Sequence, residues 1–147
     1  MKLTNAFTTN ATAEFDLPNP LNPTEPLTNE NGEAATIEFH APHSAHAKKQ
    51  FVSLARKMAA TKGKKPKDIA KMSDEEALAV VDDVAKNGVE LYSKLAIGWS
   101  NIDEEFTPET FVTIFSDPAW SFMFGEGGAL TTWYNDASNF TKSASKN

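Results

Sequence analysis

Cysteine is absent from this 147-residue chain, which removes disulfides, thiolate zinc sites and cysteine nucleophiles from consideration. Long apolar runs are absent too. No stretch approaches the roughly 18 residues of a membrane-spanning helix. The opening MKLTNAFTTNATAEF holds no apolar segment of signal-peptide length. These absences predict a soluble, intracellular protein. Phosphate-binding signatures of the GxGxxG or GxxxxGK[ST] type do not occur, and no serine stands in a nucleophile-elbow context. The adjacent acids Asp82-Asp83 and Asp103-Glu104-Glu105 read as solvated faces, because exposed carboxylates lack the burial that raises a pKa. His40, His43 and His46 share a three-residue spacing, but Pro42 interrupts any common helical face and no carboxylate follows at ligand spacing. The sequence thus gives no catalytic residue, no cofactor site and no metal site. It argues against an enzyme.

A chain of this length fits one domain, residues 1–147, and buries about 68–70% of its unfolded surface. Charge is unevenly spread. Nine of the fourteen basic residues lie between Lys48 and Lys71 against the single acid Asp68, a segment of charge +8 in a chain whose remainder carries −14. Such a split implies internal complementarity or a charged partner. Nucleic-acid modules pair basic residues with aromatics, and this segment has only Phe51. A solvated helix face is the favoured reading over a nucleic-acid interface.

Local signals predict a mainly α fold: about four helices with a small N-terminal antiparallel β pair. Residues 1–12 read as flexible. Residues 13–42 form a β and proline-rich segment, with strands at Ala13–Leu17 and Ala35–Phe39. Pro18, Pro20, Pro23 and Pro26 between them exclude a helix or a central strand. Residues 43–140 read as a helical core and 141–147 as a flexible tail. The first helix runs from near Ser44 to about Thr61, with Ala47, Phe51, Leu54, Ala55 and Met58 at helical spacing, and Gly63 stops it ahead of a basic linker. Ser73 and Glu76 form a capping box for the second, whose stripe is Leu78, Val81, Val84, Ala85, Val89, Tyr92 and Leu95 or Ala96. Its end is expected near Ile97–Gly98, with Gly98 at C′. Thr107-Pro108-Glu109 and Asp117-Pro118 mark two further starts, and Glu126-Gly127-Gly128 a break.

The aromatic set of the last third exceeds what a short helical pair needs, so part of it is expected to face a partner. The candidates are Trp99, Phe111, Phe115, Trp120, Phe124 and Trp133.

The order of these features resembles the tail assembly chaperones of long-tailed bacteriophages. The resemblance rests on Gly98-Trp99, Asp103-Glu104-Glu105, Phe106-Thr107-Pro108-Glu109 and Asp117-Pro118, and, earlier, on FDLPNP followed by TIEFHAPHSAHAKKQ. It covers about residues 13–147. It implies a non-enzymatic protein of the host cell cytoplasm that binds the tape measure protein, keeps it soluble and helps recruit tail tube protein. It also implies absence from the mature virion and a longer product made by ribosomal frameshifting. Self-association is left open. The competing expectations are a structural tail or head–tail component of the virion, and a nucleic-acid accessory protein using Lys48–Lys71.

Overall fold

The computed structural model describes residues 1–61 and 73–144. The expected helix stop at Gly63, the basic linker and the last three residues lie outside that range.

The fold is organised around a three-stranded antiparallel sheet of β2 (Thr12–Asp16), β5 (Thr36–His40) and β6 (Ala96–Ser100), with β5 in the middle. Period-2 alternation dictates its two faces. Ile37 and Phe39 are fully buried while Thr36, Glu38 and His40 are only partly covered. Cross-strand pairing extends that pattern, setting Phe15 opposite Ile37 and Ile37 opposite Trp99. The β2–β5 pair is the one expected from the sequence, displaced by a residue.

Helices cover the inner face. They are α1 (Ala45–Thr61), α2 (Asp74–Leu95), α3 (Pro108–Phe115) and α4 (Ala129–Asn135), with 3₁₀ turns at Pro118–Met123 and Ala137–Phe140. Two start signals act as expected. Ser73 accepts from Glu76 N, with the Ser73 hydroxyl donating in turn to the Glu76 carboxylate. Thr107 Oγ1 accepts from Thr110 N at 3.0 Å, with Pro108 just inside. Asp117 also caps, accepting from Ala119 N, but the element it opens is a 3₁₀ turn. The core is aromatic. Phe39 lies 6.0–6.5 Å from the rings of Phe15, Tyr92, Phe111, Trp133 and Tyr134, mostly edge-on, the arrangement ring quadrupoles favour.

The mainly α expectation is wrong. The protein is mixed α/β, with seven strands in three sheets among the described residues rather than one β pair. Three separate causes are visible. First, β6 replaces the expected end of α2. Leu95 is the last helical residue, and Ala96 turns extended (φ −75°, ψ 142°). The strand then fills the open side of β5, with a bulge at Glu38/Phe39. Gly98 is a strand residue and not a helix cap, so Trp99 is carried on a strand. Second, the proline segment makes a hairpin, β3 (Pro18–Asn19) with β4 (Asn22–Pro26). This two-stranded ribbon lies at the edge, where proline's missing donor costs little. Third, β1 (Phe7–Thr9) and β7 (Thr141–Ser143) pair with each other, setting Phe7 opposite Ser143. Residues read as flexible at the two ends thus form a strand pair that joins the start of the described chain to its finish, helped by Asn10 N donating to Phe140 O at 2.7 Å. No local pattern announces a partner that far away.

Candidate functional site

Two surfaces stand out. The first is the helical hairpin of α1 and α2. Both helices carry an apolar stripe at 3–4 spacing along their length: Ala47, Phe51, Leu54 and Met58 on α1, and Leu78, Val81, Ala85, Val89, Tyr92 and Ala96 on α2 and its cap. The body covers only one end. Ala47, Val89, Tyr92 and Leu95 are buried, whereas Leu78 is 60% exposed, Val81 62% and Val84 64%. At about 1.5 Å per residue α2 is about 33 Å long, and its N-terminal half overhangs the body. Lys57 Nζ reaches Glu90 at 3.2 Å and ties the two helices together, though an exposed pair contributes little. Charge differs between the two ends of the hairpin. Lys48, Lys49, Arg56 and Lys57 of α1 lie alongside the covered end of α2, where His46 and Lys57 reach Lys94 and Glu90, whereas Asp74, Glu75, Glu76, Asp82 and Asp83 lie on its overhanging half.

The second surface is an open groove of about 550 Å³ at the end of the sheet. Its floor is Leu17, Leu27 and Ala35, brought together by backbone bonds from Leu17 N to Ala35 O, Leu27 N to Leu17 O and Ala35 N to Leu27 O. One wall is the turn around Asn29, whose Oδ1 accepts from both Asn31 N and Glu33 N, with Gly32 in the left-handed region (φ 78°). A second wall is the loop from Trp99 to Glu104. There the Trp99 indole N–H donates to Glu104 O at 2.7 Å and the Asn101 amide donates to Ala34 O at 2.8 Å. Asn101 takes φ 63°, a conformation its short polar side chain tolerates. Trp120 completes the rim, edge-on to Phe115 at 5.1 Å. The titratable groups lining the groove are Glu30, Asp103 and Glu104, all acidic.

The six expected partner-facing aromatics therefore separate. Trp99, Phe115 and Trp120 meet in the groove, with Phe115 only 2% exposed as its back wall. Phe111 is fully buried and cannot face a partner. Phe124 packs against Tyr92 and Phe115, and Trp133 against Phe15, Phe39 and Phe140, both partly covered. The non-aromatic floor and Glu30 escape a reading of the sequence, because β3–β4 and the turn after it bring them to the groove. The overhang of α2 is readable in part: its stripe is plain in the sequence, but a stripe alone does not say where the body ends.

The histidines behave differently from a ligand set. His40 and His46 stack at 4.1 Å, and the His46 Nε2–H donates to Lys94 O at 2.7 Å. Burial, and secondarily the charge of His46, hold the His40 pKa below its ordinary value against the opposing pull of Glu38. Among the described residues no group of three His, Cys, Asp or Glu side chains is arranged to hold a metal ion. Tyr134 donates its hydroxyl to His40 O at 2.8 Å, and burial, with Tyr92 nearby, pushes its pKa far up, as expected of a structural phenol. No family model, curated protein or solved structure matches the chain.

Proposed function

We propose that this protein is a tail assembly chaperone of a long-tailed bacteriophage. In this reading it binds the tape measure protein, keeps that long helical chain soluble, helps recruit tail tube subunits, and leaves before the virion is complete. The observation that carries the reading is the overhanging half of α2, with Leu78, Val81 and Val84 about 60% exposed in one short stretch. An apolar stripe continuous with the core yet left uncovered is the kind of surface on which an amphipathic helix docks. An unassembled helical protein exposes apolar surface that aggregates, and covering it with a small acidic protein of net charge −6 keeps the pair in solution. The acids of the overhanging half, Asp74, Glu75, Glu76, Asp82 and Asp83, favour a docked helix with basic residues beside its apolar face.

The test is co-expression with the tape measure reading frame of the same genome. The tape measure should be soluble with this protein and aggregated without it. Leu78→Ser/Val81→Ser should abolish the rescue while leaving the chaperone folded. A tape measure equally soluble in its absence contradicts the proposal. So does stoichiometric retention of the protein in purified particles, which identifies a virion component instead.

A further inference from the structure

The groove has a chemistry distinct from that of the hairpin. Its floor is apolar, its walls carry two indoles, and the charge at its rim has one sign. Trp99 spends its N–H on Glu104 O, so what it offers a ligand is its ring. Among the described residues Glu30, Asp103 and Glu104 form no ion pair, the two salt bridges both lying on Glu90 of the hairpin. An indole face attracts a cation, more strongly when the cation is partly desolvated, and nearby carboxylates add to that attraction. A long aliphatic stem bearing a charged head matches all three features, with its methylenes on the partly exposed Leu27 and Ile102, which lie over the buried Leu17 and Ala35, and its head between the indoles and the rim.

The geometry points to the Trp99–Trp120 groove as a binding site for an arginine or lysine side chain presented by an apolar segment of a partner protein. The inference rests on the reading of this molecule as a partner-binding protein, but it requires neither the hairpin nor any particular partner. An anionic or uncharged segment is disfavoured by the three rim carboxylates, and a purely apolar one leaves them without a counter-charge.

The test uses the full chain labelled with ¹⁵N and the peptide acetyl-Gly-Leu-Arg-Leu-Gly-amide, with a norleucine peptide in place of the arginine one as control. Three tryptophans give three indole N–H resonances, two from the groove and one from Trp133, which packs against Phe15 and Phe39 instead. The arginine peptide should shift the Trp99 and Trp120 signals saturably and leave Trp133 unmoved. Added salt should weaken the binding. Glu30→Gln/Asp103→Asn/Glu104→Gln, which alters exposed side chains and keeps the Glu104 carbonyl, should weaken it at least about threefold, the scale of several exposed charge pairs. Equal binding of the norleucine peptide overturns the inference, as does the absence of a saturable shift. Groove resonances that move on dilution of the protein alone also overturn it, since the occupant is then a second copy. If the inference fails while the tape measure is still kept soluble, only the groove assignment falls. If the peptide binds and the tape measure is not rescued, the proposed function falls and the groove stands.

Discussion

Gly88 and Gly128 allow the packing to be tested in opposite directions with the same substitution. Gly88 sits inside α2, and a Cβ built there meets nothing within 4 Å. Alanine should therefore gain its helix-propensity advantage without a steric cost, about 0.5–1 kcal/mol. Gly128 is the buried residue before α4, with ordinary extended torsions (φ −65°, ψ 152°). Its conformation would suit alanine, but its surroundings would not. A Cβ there lies 2.5 Å from Met123 O, 2.6 Å from Met123 C and 2.7 Å from Phe124 O, all main-chain atoms that no rotamer change can move aside. Relieving that overlap means shifting the segment that carries the fully buried Met123, or the Gly128 carbonyl that accepts from Thr132 N at 2.8 Å. Overpacking of this kind costs about 1–3 kcal/mol. For a domain of this size about 1 kcal/mol moves Tm by roughly 2–4 °C. Gly88→Ala should then raise Tm by about 1–4 °C, and Gly128→Ala should lower it by about 2–12 °C, read by thermal and urea unfolding. A neutral Gly128→Ala, or a destabilising Gly88→Ala, would mean that these two glycines are not packed as described.

Other substitutions probe the core, the caps and the surface. Phe39→Ala removes the ring at the centre of the aromatic cluster and should cost about 3–5 kcal/mol in urea unfolding; a loss under about 1 kcal/mol would mean that the cluster is not packed as described. Thr107→Ala deletes the α3 cap and should cost about 1 kcal/mol, with Thr107→Ser retaining most of it. Because the folded-state pKa of His40 lies below its ordinary value near 6.5, the unfolded chain takes up that proton first. Stability linked to His40 is therefore level above about pH 6.5 and falls as the pH drops through it toward the folded value. His40→Gln should flatten the fall in urea midpoint between about pH 7.5 and 5.5, and an unchanged slope contradicts the assignment. Leu78→Ser/Val81→Ser should leave Tm almost unmoved, since both side chains are already largely exposed.

How much the sequence discloses depends on how local each signal is. The β2–β5 pair is legible because alternation at Ile37 and Phe39 needs no knowledge of a partner. The starts of α2 and α3 are legible because Ser73 and Thr107 cap within three residues. The strand at Ala96–Ser100 is not. Glycine after an apolar helix reads locally as a cap, and only the open side of β5, far earlier in the chain, turns Gly98 into a strand residue. The pairing of Phe7 with Ser143 is the extreme case. Half of the groove is visible, since Trp99 and Trp120 stand among the rings in excess of what a helical pair needs. Its floor and Glu30 depend on the hairpin after β2. Burial cannot be read from the aromatics themselves, so Phe111 looks equivalent to Trp120 although one is in the core and the other on the rim.

Amide hydrogen exchange gives the sharpest check on the uncovered half of α2 as a docking face. Alone, the Asp74–Gly88 segment should exchange faster than Val89–Leu95, which the body covers. In complex with the tape measure protein, Asp74–Gly88 should become strongly protected while β5 is unchanged. If Asp74–Gly88 exchanges at the same rate with and without the tape measure protein, the helix is not the docking face.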